Sequence, residues 1–301
     1  MVSSLDATAA ADYRDVALAA ADCVIRRYST SFALSTRLLR GPVRSRVRCV
    51  YALVRVADEI VDGAASGSGL GPEQIAVSLD GLEARVEAAL EDGFSSDLVV
   101  HAFADAARRT GIGTELTRPF FASMRMDLER AEHTPETYSR YVHGSAEVVG
   151  LMCLSVFTTD RSPVPVPPDP RLAEGARRLG AAFQTVNFLR DLHADAGSRG
   201  RSYLPGIDPS RLTDAQRDRV LASIDADLAA ARAVIPMLPG SSRTAVLAAH
   251  SLFAELADRL RETPAAQLRS GRVRVPDGRK ARLLARALVQ GRTGCSTRRA
   301  A

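Results

Sequence analysis

The chain has 301 residues, 46% of them hydrophobic, with no Trp, four Cys and a formal net charge of +5. That length carries one large domain or two ordinary ones around a substantial core. The cysteines (Cys23, Cys49, Cys153, Cys295) show no CxxC or Cys/His spacing, which excludes a zinc module and a disulfide framework; no run approaches the roughly 18 apolar residues of a membrane span, and the first residues lack the layout of a secretory leader.

Ala, Leu, Arg and Glu are abundant and sustained period-two alternation is absent, so helices are predicted almost throughout. The expectation is an all-α single domain over 1–301, with about 292–301 a disordered basic tail. The spacing predicts a first helix over 9–28, interrupted at Ser29-Thr-Ser-Phe32. Gly41-Pro42 opens a long helix that reaches Asp62-Gly63, and the Gly/Ser stretch after it reads as a loop. Pro72 suits a first helical turn. Helices then follow over 72–92, 95–110 and 114–132. Thr134-Pro135-Glu136 caps another that runs to about 159. The proline-rich run 163–170 reads as a surface loop between helices. A helix over 170–195, a Gly/Arg loop at 197–201, and helices near 213–235, 240–262 and 277–290 complete the chain.

Two motifs dominate this pattern: Asp58-Glu-Ile-Val-Asp62 and Asp191-Leu-His-Ala-Asp195. Aspartates four apart on a helix share a face. Tyr51, Arg55, Asp58 and Asp62 fall within about 60° on a helix wheel, a thin polar line on an otherwise apolar cylinder. Gln184, Asn187, Asp191 and Asp195 repeat the arrangement. Buried carboxylates are costly without a partner. Oxygen ligands of this kind suit a hard cation such as Mg2+, which keeps waters and bridges to substrate phosphates. Diphosphate chemistry is the first expectation.

Basic residues gather at the C-terminal end, where Arg279, Lys280, Arg282 and Arg286 lie at helical spacing beside Leu283, Leu284 and Leu288. That pattern permits docking on an anionic membrane surface. No nucleic-acid-binding motif accompanies it, so no nucleic-acid partner is expected. The expected location is the cytoplasm, with peripheral contact at the inner face of the plasma membrane.

The order and spacing of several segments resemble the squalene/phytoene synthase family, the head-to-head prenyl transferases, and most of all its bacterial phytoene synthase branch. The segments are Ser29-Thr-Ser-Phe32, the run from Tyr51 to Asp62, Met124-Arg-Met-Asp127, the run from Tyr141 to Gly150, the run from Gln184 to Asp195, Gly200-Arg-Ser-Tyr-Leu-Pro205, and Arg272-Val-Arg-Val-Pro276. The resemblance implies an isoprenoid synthase-type helical bundle with a central active-site cavity. It implies condensation of two geranylgeranyl diphosphates to phytoene through prephytoene diphosphate, in carotenoid biosynthesis. It implies Mg2+ (or Mn2+) and no NADPH. The alternatives are a squalene, dehydrosqualene or hydroxysqualene synthase acting on two farnesyl diphosphates, or a non-catalytic helical scaffold of the same fold.

On this reading Asp58, Asp62, Asp191 and Asp195, with Asn187, are the metal ligands. Arg55 and Arg190 hold diphosphate oxygens through their planar forks. Gln184 and Tyr51 add hydrogen bonds, and Ser31 and Tyr28 are diphosphate contacts by their place in the family motif. Arg201 and Tyr203 either close over the phosphates or sit in a loop anchored by packing. Arg272 either reaches the diphosphate or stays at the surface. Tyr141 either faces a cation or is a core tyrosine. The chain departs from the family pattern at Thr36, Glu147 and Phe253.

Overall fold

The computed structural model describes residues 4–28, 35–198 and 200–293. Eleven main helices are described: α1 (Ser4–Tyr28), α2 (Gly41–Asp62), α3 (Pro72–Asp92), α4 (Leu98–Thr110), α5 (Thr114–Glu129), α6 (Pro135–Val142), α7 (Val148–Thr158), α8 (Pro170–Ser198), α9 (Asp214–Val234), α10 (Arg243–Glu262) and α11 (Asp277–Thr293). Among the described residues there is no strand, only an isolated bridge between Glu132 and Ser202. The expected all-α fold is what the chain adopts. Ser31 and the motif around it, and the tail beyond 293, lie outside the described residues.

Local chemistry sets the helix ends. Pro42 occupies the first turn of α2, and Gly63 ends it at φ +138°, a conformation that side-chain-bearing residues rarely adopt. Asp97 caps α4 by accepting from the N–H groups of Val99 and Val100. Thr134 and Thr213 cap α6 and α9 in the same way, each with a reciprocal bond from the third helical residue.

Two cores result. One is built from α2, α3, α4, α5 and α7, with Leu53, Leu79, Phe103, Phe120 and Met152 at its centre. The other joins α6, α8, α9 and α10 around Val186, Leu189, Ile224 and Leu260. The stretch from Pro135 to Thr158 runs through both. It is long and apolar enough, by length and composition, to cross a membrane, unlike what the sequence reading expected, but half of it is buried as the fold's central helix. A π turn, His143–Glu147, interrupts it. The sequence pattern reads this stretch as one regular helix, because a π turn changes hydrogen bonding without changing composition.

Backbone contact fixes α8 against this central helix. A Cβ on Gly150 would lie 2.5 Å from the Ala176 carbonyl oxygen, and one on Gly180 2.4 Å from that of Ala146. Only glycine permits this approach, and it places the stripe from Gln184 to Asp195 beside the central helix. The loop 163–170 is a surface connection as expected, pinned where Val166 N–H donates to Thr159 Oγ1 at 3.1 Å. On α11, Leu283 is buried and Leu284 packs with Ile235 and Leu247, so those two leucines are spent inside the fold. Leu288 and Val289 remain exposed, Arg279 pairs with Glu255, and Lys280 pairs with Asp277.

Candidate active site

An apolar cavity of about 240 Å3 lies between the central helix, α8, α9 and α10. Val149, Cys153, Leu179, Phe183, Val234 and Val246 form much of its wall. Gln184 is among the few polar groups on that wall, with Ser145, Ser35 and Thr36. Gln184 also begins the second polar stripe, and α8 then carries Asp191 about 10 Å further along. The greasy space and the acidic end therefore share one helix.

At the acidic end arginines meet three of the motif carboxylates, Asp58, Asp62 and Asp191. Arg55 Nη1 is 3.4 Å from Asp58 Oδ2, and its other nitrogen donates to Glu59. Arg201 Nη1 donates to Asp62 Oδ1 at 2.6 Å. Asp191 is clasped twice, by Arg190 Nε at 3.0 Å and by Arg272 Nε at 2.7 Å. Asp195 is buried. Its carbonyl accepts the N–H of Arg201 at 2.9 Å, so Arg201 bonds to the ends of both acidic helices. Among the described residues no three acidic, His or Cys side chains gather closely enough to enclose one metal ion.

Burial pushes the Asp58 carboxyl up to about 7, helped by the neighbouring Asp62 and opposed by Arg55. A third of that side chain still meets solvent, so the low polarity comes from a recess walled by protein rather than from full enclosure.

Tyr51, Arg55, Gln184, Asn187 and Arg190 are half-buried along the two stripes. The Arg55 guanidinium sits 4.7 Å over the ring of Tyr28, which is half-exposed at the end of α1. Arg272 is not an isolated surface arginine, since its guanidinium meets Asp191. Tyr203 and Leu204 are buried, so the loop after α8 is anchored by packing. Tyr141 does not line the cavity: it is buried against His133, Phe188 and Tyr203, and its hydroxyl donates to Asp127 at 2.8 Å. Phe253 stacks on the cavity residue Phe183 at 3.7 Å.

Asp127 on α5 was not anticipated as a site residue. Burial pushes its carboxyl up to about 6, against the pull of Arg201 and of the hydroxyls of Tyr141 and Tyr203. The available signal was the run Met124-Arg-Met-Asp127, one of the segments that carry the resemblance, in which the aspartate stands among Met124, Met126 and Leu128.

An all-helical bundle with acidic helix ends above an apolar cavity is the isoprenoid synthase type of fold. Solved structures agree: a dehydrosqualene synthase with bound ligand aligns with a TM-score of 0.77 at 22% identity, covering 93% of this chain and 98% of that one. A squalene synthase from Alicyclobacillus acidocaldarius aligns at 0.70 and 16% identity, covering 83% and 94%. The squalene/phytoene synthase family matches residues 25–279, and the chain belongs to that family. A chloroplastic phytoene synthase of Zea mays is 33% identical over 199 residues, 64% of this chain and 44% of that protein. The 15-cis-phytoene synthase of Synechococcus elongatus is 31% identical over 209 residues, 67% of this chain and 65% of that protein. The matched stretch thus spans less than two thirds of either relative.

Proposed function

We propose that this chain is a Mg2+-dependent prenyltransferase that joins two geranylgeranyl diphosphates head to head, giving phytoene through prephytoene diphosphate. The observation that carries the reading is the continuity of α8, with Gln184 on the wall of an apolar cavity and Asp191 and Asp195 at the acidic end that Arg201 ties to Asp62. The names of the phytoene synthases it resembles favour the C20 substrate.

The residues fit a hard divalent cation. Mg2+ is commonly held by one or two carboxylates together with substrate phosphates and water, so an aspartate pair on each helix suffices without a closed protein cage. Burial, with Asp62 one turn away, raises the Asp58 carboxyl, and a divalent ion bound there would offset the cost of ionising it. Asp58 and Asp62 on α2, and Asp191, Asp195 and Asn187 on α8, are the ligands this assigns. Bound there, Mg2+ would neutralise charge on the departing diphosphate.

Arg55, Arg190 and Arg272 now rest on carboxylates, and a diphosphate offers the same bidentate geometry. Arg55 Nε is buried without a partner, a donor still available to such an anion. Allylic C–O cleavage leaves a cation that water would quench. Val149, Cys153, Phe157 and Phe183 provide walls that keep water from the hydrocarbon.

A second reading, condensation of two farnesyl diphosphates, rests on the bulk of Phe183, which stands on the cavity wall next to Gln184 with Phe253 stacked on it. One experiment separates the two. Purified protein is incubated with Mg2+ and either the C15 or the C20 diphosphate, and the hydrocarbon is identified by mass. A C40 product from the C20 substrate is expected; a C30 product alone would establish the second reading, and no diphosphate release from either would remove both.

A further inference from the structure

Asp127 belongs to neither acidic motif, yet it stands behind the side chain that joins them. Only 4% of its side chain is exposed. Tyr203 donates to Oδ1 at 2.8 Å and Tyr141 to Oδ2 at 2.8 Å. The Arg201 guanidinium lies 3.7 Å from Oδ1. The same guanidinium donates to Asp62 Oδ1 at 2.6 Å and to the Val61 carbonyl at 3.1 Å, closing on the last turn of α2. Its backbone N–H meanwhile holds the Asp195 carbonyl on α8, and the next residue, Ser202, donates to the Ala131 carbonyl just after α5.

Tyr203 is itself fixed, with Phe188 stacked on it at 4.2 Å and His133 at 5.7 Å. A buried carboxylate is costly unless paired, and an apolar residue of similar size would fill this position more cheaply. What the carboxylate adds is direction: its two oxygens accept from tyrosine hydroxyls on two different segments and face one guanidinium. That arrangement holds Arg201 between the ends of α2 and α8.

We propose that Asp127 is a positioning residue which, through Tyr203 and Arg201, sets the ends of α2 and α8 at the separation where both aspartate pairs meet one Mg2+–diphosphate group. The inference rests on the function proposed above. It assigns Asp127 no contact with substrate. It also gives the hydroxyl of Tyr141, whose ring is covered, a role: it donates to the carboxylate's second oxygen.

The test is calorimetric titration of Mg2+ with inorganic diphosphate into the full-length wild type, Asp127→Asn, Tyr203→Phe and the double variant. Groups that orient metal ligands are worth about 10- to 100-fold in affinity. Asp127→Asn and Tyr203→Phe are each expected to weaken binding about tenfold, with far-UV circular dichroism unchanged. The double variant is expected to bind no more weakly than Asp127→Asn alone, because both changes cut the same path. Wild-type affinity in a folded Asp127→Asn protein, or losses that multiply in the double variant, would overturn the proposal. If Asp127→Asn does not fold, Tyr203→Phe decides alone, and wild-type affinity there overturns it. A wild type that binds no Mg2+–diphosphate removes the proposed function and this inference together, whereas equal binding by all four proteins removes only the inference.

Discussion

Asp191 shows how much one residue's surroundings add to its spacing. The sequence placed it one turn from Asp195, but not between two guanidinium groups, one of them from Arg272, 81 positions away. That contact depends on how the C-terminal segment returns to α8, and no local pattern encodes it. Asp191→Ala and Asp58→Ala are each expected to lower turnover by about 10²-fold or more, while thermal stability changes by no more than about 1 kcal/mol. Diphosphate release and thermal melting check this, and wild-type turnover in either variant contradicts it. Asp127 gives a pH prediction. Its carboxyl titrates near 6 in the fold, against about 3.9 in an unfolded chain. Between those values the native state binds more protons than the unfolded state, so this group's contribution to stability falls as pH rises through that window and stays low above it. Asp127→Asn removes the titration. Its stability relative to wild type should therefore improve from pH 4 to pH 7.5, by on the order of 2 kcal/mol, in parallel urea melts. A pH-independent difference would show that the site is not desolvated.

At the scale of elements, the two polar stripes were legible because a few polar side chains interrupt cylinders that are otherwise apolar; the caps at Gly63 and Thr134 fall at the expected boundaries, whereas Asp97 starts α4 at Leu98, three residues later than expected. The π turn at His143–Glu147 was not legible, because residues able to form it form α-helix equally well. Asp127 was missed for a related reason: a single carboxylate in a helix ordinarily faces water, and only the tyrosines from α6 and the loop after α8 reveal its burial. The glycines that seat α8 were equally silent. Gly150→Ala forces a Cβ to within 2.5 Å of a backbone oxygen, and overpacking of that kind costs about 1–3 kcal/mol. Gly81→Ala is the control. Its Cβ meets only the end of Arg85 at 3.4 Å, so the gain in helix propensity, up to about 1 kcal/mol, should prevail. Urea midpoints that fall for Gly81→Ala as far as for Gly150→Ala would contradict the account of how α8 is seated.

For the molecule as a whole, the account requires one path from the acidic helix ends into the apolar cavity. Cys153 stands on the wall of that cavity, one helical turn after Val149. Cys153→Phe adds bulk there without touching the charged end. It is expected to lower turnover of the C20 diphosphate by about tenfold or more while leaving Mg2+–diphosphate binding at the wild-type level; unchanged C20 turnover would place the hydrocarbon elsewhere. The most direct measurement is a crystal structure of the protein with Mg2+ and an unreactive prenyl thiodiphosphate. The account predicts ions bridging the diphosphate to Asp58 and Asp62 on one helix and to Asp191 and Asp195 on the other, with the prenyl chain running past Gln184 toward Cys153. Ions held by one helix alone, or a prenyl chain lying outside the cavity, would contradict it.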